Sequence, residues 1–227
     1  MISVLTWTYN WQEMFDITIP CLLAQEGVEF EIVAGCGPSI TLPKDERIRR
    51  IDIEGKGKCA AYNRLIDEAK GDILFLTQAD MQLGSKTQLQ RMLGYLGPKI
   101  MVTERFWKYR QRDCGMYHQC MLIHKKEVVD AGKCDEAFDD PSMYAFEDTD
   151  LIARLLKNGM NFKIITTEGD DGVFHIDHPQ VDLTCPIMQA RINKGRALYN
   201  KKHDSESILS LYGKQVARRL MEKRLNA

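Results

Sequence analysis

Short apolar runs that alternate with helix-patterned segments over the first ninety residues constrain this chain most. Ile2-Ser3-Val4-Leu5-Thr6-Trp7, Phe30-Glu31-Ile32-Val33-Ala34, Ile48 to Ile53 and Asp72 to Thr77 each have the length and content of a strand. Between them lie a helical stretch through Phe15, Ile17 and Leu22-Leu23 and another from Ala60 to Ala69. Strands that alternate with helices pair in parallel and bury both faces, which predicts an α/β sheet. Ligands of such sheets sit beyond the carboxyl ends of the strands. Asn10, Gly37 to Ser39 and Asp80 all fall at those ends.

The second half mixes further strands (Lys99 to Thr103, Gln119 to Ile123, Phe162 to Thr166) with longer loops. Tyr144 to Gly159 contains a helix. Leu151-Ile152 and Leu155-Leu156 form its apolar stripe, Glu147, Asp148 and Asp150 crowd its first turn, and Asn158-Gly159 stops it. Asp150 is expected to turn to Arg154 at i+4 as a helix-surface pair. After Pro186 the character changes. Residues 187–227 hold ten Lys or Arg against three acids, with Ile208, Leu211, Tyr212, Val216 and Leu220 at helical spacing. Two units are expected: a catalytic domain over residues 1–185 and a basic helical extension over 186–227.

A chain of 227 residues supports one sizeable core. A net charge of −1 argues against a wholesale nucleic-acid coat. No run approaches the roughly 18 apolar residues of a membrane span, and the N-terminus lacks a basic segment ahead of an apolar one. The seven cysteines are scattered and include no C-x-x-C, as expected of reduced thiols in a cytoplasmic protein.

Five segments in order carry a family likeness: "TWTYN" after the first strand, "GKGKCAAYNRLIDEAKGDILFLTQAD", "VVDAGKCDEAF", "FEDTDLIARLLKNGMNFKI" and "VFHIDHP". Together they resemble the GT-A fold glycosyltransferases of the large family 2 type, with Glu-Asp and His segments of galactosyltransferase character. The resemblance covers about residues 1–180. It implies a Rossmann-like nucleotide-diphospho-sugar transferase sheet, mixed and mainly parallel, flanked by helices. It also implies a metal-dependent, inverting glycosyltransferase that uses a nucleotide-sugar donor, UDP-linked, a divalent cation (Mn2+ or Mg2+) and a hydroxyl-bearing acceptor such as a glycan. There are three departures from the family pattern. Gly35-Cys36-Gly37-Pro38-Ser39 has no acid where the family's base-reading acid stands, Tyr62 replaces an arginine, and Gln78-Ala79-Asp80 replaces Asp-x-Asp.

The resemblance places Thr8 and Tyr9 at the nucleoside. Ser39, Asn63, Gln78 and Ala79 belong to the same donor-binding segments, and Gln78 can donate a hydrogen bond to a ribose or phosphate. Asp80 is expected to bind a metal, since a hard cation on a diphosphate takes oxygen ligands. The plain alternative is an N-cap or turn acid before Met81 to Gly84. His175 or His178 would complete the metal shell; residues three apart on a strand face opposite ways, so both serve only if the segment bends. Asp148, with Glu147 beside it, is the expected general base, although three acids in a helix's first turn also suit the helix dipole. Lys56 and Lys58 flank glycines without forming a P-loop. They could meet phosphates or simply solvent. Trp107, Tyr109 and His118 fall where an acceptor pocket is commonly shaped. The basic tail (Lys214, Arg218, Arg219, Lys223, Arg224) could lie on an anionic membrane, bind nucleic acid, or pack its stripe on the domain. Two rival readings are a degenerate binding module and a nucleotidyltransferase. The second lacks its usual Gly-rich basic loop, because Thr8-Tyr9-Asn10-Trp11 stands there.

Overall fold

In the computed structural model, residues 1–108, 111–112, 120–167, 171–175 and 185–214 are described, with backbone alone for 106–108 and 111–112. Strand β1 (Ile2–Thr8) is followed by α1 (Gln12–Leu23), β2 (Phe30–Cys36), β3 (Ile48–Asp52), α2 (Lys58–Glu68) and β4 (Ile73–Thr77). Next come β5 (Met81–Leu83), α3 (Gln88–Leu93), β6 (Ile100–Glu104), β7 (Phe106–Lys108), β8 (Gln111–Arg112), β9 (Cys120–His124) and α4 (Lys125–Asp130). A 3-10 turn at Glu136–Asp139 leads to α5 (Glu147–Lys157), β10 (Asn161–Ile165), β11 (Val173–His175) and α6 (Pro186–His203).

The main sheet runs β10-β6-β9-β4-β1-β2-β3. Only β9 is antiparallel to its neighbours, so the sheet is mixed and mainly parallel. Alternation along each strand divides the core in two. Val4, Ile32, Phe75 and Leu122 face α1 and α3. Leu5, Val33, Leu74, Leu76 and Met121 face α2, α4 and α5. Because side chains alternate with period two, every strand feeds both layers, which is why these runs read as nearly continuous apolar stretches.

Tyr199 of α6 and Leu211 beyond it are buried in the second layer, with Ile208 and Tyr212 packed against it. The apolar stripe of residues 208–212 thus lies on the core. Residues 215–227, including Arg218, Arg219, Lys223 and Arg224, lie outside the described residues.

A small second sheet, β5-β11-β7-β8, sits at the carboxyl edge of the main one. Its strands of two or three residues are too short to show a period in the sequence. No described helix is long and apolar enough to cross a membrane.

Candidate active site

The apolar run of β4 ends at Thr77, whose carbonyl accepts a 3.0 Å hydrogen bond from the Tyr62 hydroxyl. Gln78 and Ala79 form the turn beyond it. Gln78 is half-buried, and its carbonyl accepts from Met81 N at 3.3 Å. The Ala79 carbonyl accepts from Thr18 Oγ1, which ties the turn to α1. Asp80 is buried, and the residues after it form strand β5, so it is not the cap of a helix. Antiparallel pairing of β5 with β11 sets Met81 opposite His175. That register brings His175 Nε2 to 3.2 Å from Asp80 Oδ2. Ninety-five residues of sequence separation are closed by a three-residue strand pair. His178 lies outside the described residues.

The donor set suits a divalent cation of the Mn2+ or Mg2+ kind. The carboxylate suits a hard ion of this kind, and the imidazole is better accepted by Mn2+ than by Mg2+, which prefers oxygen throughout. Two ligands at right angles around an ion held at about 2.1 Å stand about 3 Å apart, close to the observed 3.2 Å. Among the described residues, no group of three His, Cys, Asp or Glu gathers here or elsewhere. Phosphate oxygens and water are natural further ligands of such an ion.

On the other side of Asp80, the ends of β1 and β2 are tied together by Gly37 N donating to the Thr8 carbonyl at 3.0 Å. Thr8 is buried, and its hydroxyl accepts from Trp11 N at 3.2 Å at the start of α1. Tyr9 packs edge-on to Trp7, which packs edge-on to Tyr62. The Tyr9 hydroxyl is buried and finds no hydrogen-bond partner among the described residues. Burial, helped by the Asp139 charge, pushes its pKa up. Ser39 is exposed just past Gly37-Pro38. Arg50 braces this loop by donating to the carbonyls of Gly37, at 2.7 Å, and Ile40.

Tyr62, standing where the resemblance expects an arginine, is fully buried. Burial raises its phenol well above the ordinary range, and the charges of Asp80 and Glu147 push the same way.

Lys58 is not a bare loop lysine, although about a third of its side chain stays in water. Its ammonium pairs with the buried Glu147 carboxylate. Burial pulls the Lys58 pKa down, but Glu147 and Asp148 outweigh that and hold it above the usual lysine range. Asp148 is half-buried, and its Oδ1 accepts from Thr149 N at 2.7 Å and Thr149 Oγ1 at 3.2 Å. Asn63 uses its side chain on the loop before the 3-10 turn: Nδ2 donates to Cys134 O and Glu136 Oε1, and Oδ1 accepts from Cys134 N.

Asp139, which the sequence reading passed over, caps α2 from eighty residues away. Its two oxygens accept from Cys59 N at 2.7 Å and Ala60 N at 2.8 Å. Gly57 makes room for it, since a Cβ there would stand 2.1 Å from the Asp139 carboxyl carbon. An acid at a helix N-terminus is favoured by the dipole, but nothing local in the sequence marks this one.

Asp150 does pair with Arg154, with contacts of 2.8 and 2.6 Å, but the expected surface pair is a buried one. Asp150 is fully inaccessible and also meets Lys202 at 2.6 Å and His203 at 2.9 Å. The helical stripe could not reveal this because two of the partners come from α6. Trp107 contributes backbone to β7, while its side chain, Tyr109 and His118 lie outside the described residues. The described cysteines are all free thiols.

The site thus lies on a mainly parallel seven-stranded sheet with an acid-ended strand, where a small second sheet closes on it. No family model matches the chain, and no curated protein matches it in sequence. Solved structures do. Residues 1–349 of TarS from S. aureus, in complex with UDP-GlcNAc, superpose with a TM-score of 0.68 at 12% identity, over 97% of this chain and 72% of that one. A longer TarS chain gives 0.63 at 12% identity, over 94% of this chain and 43% of that one. The mannosyltransferase PcManGT from Pyrobaculum calidifontis, in complex with GDP-Man and Mn2+, gives 0.57 at 14% identity, over 96% and 80%. At such identities the likeness establishes the fold, and the chain has the GT-A fold.

Proposed function

We propose that this protein is a metal-dependent, inverting glycosyltransferase that moves a sugar from a nucleotide-diphosphate donor, UDP-linked, to an acceptor hydroxyl. The observation that carries the reading is the Asp80–His175 pair at the carboxyl edge of a GT-A sheet. Neighbours of the same fold were solved with UDP-GlcNAc and with GDP-Man and Mn2+, which supports a nucleotide sugar and a divalent cation as the ligands.

Asp80 and His175 would hold the divalent cation, which neutralises the diphosphate as it departs. Thr8, Tyr9 and the Arg50-braced loop at Ser39 would receive the nucleoside, with Gln78 donating toward ribose or phosphate. Lys58 holds the Glu147 carboxylate in place and adds positive charge beside the diphosphate. Asp148 takes the acceptor hydroxyl's proton while that oxygen bonds to the anomeric carbon and the bond to the phosphate oxygen breaks. Attack opposite the leaving group inverts the anomeric centre. Positioned base catalysis of this kind is typically worth about 10²–10⁴ in rate.

The test is hydrolysis of UDP-glucose, UDP-GlcNAc and GDP-mannose with and without Mn2+. Turnover of a UDP-sugar that requires the ion is expected. Preference for GDP-mannose would move the donor assignment to guanine. No turnover, together with no metal-dependent nucleotide binding, would return the chain to a binding module.

A further inference from the structure

The backbone just ahead of Glu147 and Asp148 is unusual. Ala145 and Phe146 are consecutive non-glycine residues with φ of 67° and 77°. Left-handed residues of this kind persist only where the surroundings enforce them. Here one face of α6 does so. Tyr144 N donates to Arg191 O at 3.3 Å, and Arg191 Nη2 donates to Met143 O at 3.3 Å. Lys194 Nζ donates to Ser142 Oγ at 2.5 Å. The Arg196 guanidinium lies 5.8 Å from the Phe146 ring centre, and the Tyr199 ring lies 5.9 Å from it. One to two turns further on, Lys202 and His203 close on Asp150.

Gly195 sits at the centre of this face. A Cβ there would stand 2.9 Å from the Ala145 carbonyl oxygen and 3.0 Å from that of Tyr144. Glycine is a poor residue for the middle of an 18-residue helix, and this close backbone approach supplies the reason for it.

We propose that α6 is the splint that aims Glu147 and Asp148, with Gly195 as a positioning residue. With no side chain at 195, the helix rests directly on the two carbonyls, and the turn is pressed into its left-handed course. The chain then enters α5 with Glu147 toward Lys58 and Asp148 at the site. This rests on reading Asp148 as the base.

Gly195→Ala forces a methyl against those carbonyls, whereas Gly213→Ala, with nothing within 4 Å of the new methyl, serves as control. Both are compared with wild type in Mn2+-supported hydrolysis of the preferred nucleotide sugar and in hydrogen–deuterium exchange. A 1 Å displacement of a reacting group can cost about a hundredfold. The expected result for Gly195→Ala is a kcat lower by roughly 10- to 100-fold, an unchanged donor KM, and faster exchange at the amides of Tyr144 and Asp150. The proposal is overturned by unchanged exchange, by faster exchange with unchanged kcat, or by an equal kcat loss in Gly213→Ala. Should Asp148→Asn prove fully active, the base assignment falls, while the exchange comparison still reports on the splint.

Discussion

Asp150→Asn keeps the shape of the side chain and removes its charge from the centre where α5 and α6 meet. Asp150 is fully inaccessible, while its partners Arg154 and Lys202 keep 20% and 26% of their side-chain surface in water. His203 keeps 3%. Breaking a buried ion pair from one side costs about 3–5 kcal/mol. The partial exposure of the two cations, and the second carboxylate that Lys202 has in Asp135, argue for the low end, about 3 kcal/mol. Against a total stability of about 5–15 kcal/mol that is a large fraction. At about 2–4 °C per kcal/mol for a chain of this size, the melting temperature should drop by about 6–12 °C. Urea unfolding followed by circular dichroism measures the loss, and adding Lys202→Met should make the double variant lose less than the sum of the two singles. A loss under about 1 kcal/mol, or strict additivity, would refute the view that Asp150 closes the interface with α6.

Two further outcomes follow from the same geometry. Asp148→Asn should lower transfer by about 10²–10⁴ while leaving UDP affinity intact; full activity would remove Asp148 from the mechanism. His203 should make stability sensitive to mild acid. Burial depresses its pKa; the hydrogen bond and charge of Asp150 pull it back up, the charges of Lys157 and Lys202 push it down again, and the net direction is downward. A neutral ring donating from Nε2 to Asp150 and accepting at Nδ1 from Lys157 fits the contacts of 2.9 and 3.1 Å. Because the folded pKa lies below the unfolded value of about 6.5, the unfolded chain binds more protons. Stability is therefore highest above that value and is lost as pH falls below it. Stability measured by urea unfolding between pH 7.5 and 5.5 should decline in wild type and stay flatter in His203→Gln; parallel profiles would contradict the assignment. Asp150 acts in the same direction at lower pH. Burial raises its pKa, but Lys202, His203 and Arg154 together bring it below the ordinary carboxylate range.

Much of this architecture is legible in the residues. Ile2 to Trp7, Phe30 to Ala34 and Asp72 to Thr77 announce buried parallel strands because both faces of each must be apolar. The acids of "FEDTD" announce a helix start. The family likeness also marks Asp80 and the His175–His178 segment as candidate ligands. The closeness of His175 to Asp80 comes from the pairing of Met81 with His175, and strands of three residues carry no period to predict it. Pairings such as Lys58 with Glu147, Asp139 with the N-terminus of α2, and Asp150 with α6 join residues 53 to 89 positions apart. No local propensity encodes them. Residues 187–227 read as a basic tail because they hold ten Lys or Arg against three acids. Three of those cations, Arg191, Lys194 and Lys202, in fact clasp residues 142–150.

The central claim is that the carboxyl edge of this sheet holds a nucleotide diphosphate through a cation gripped by Asp80 and His175. Calorimetric titration of UDP in the presence and absence of Mn2+, for wild type and Asp80→Ala, tests it most directly. The account predicts that Mn2+ tightens UDP binding in wild type and that Asp80→Ala, still folded by circular dichroism, loses that enhancement. Equal UDP affinity with and without the ion, or an enhancement that survives Asp80→Ala, would contradict it.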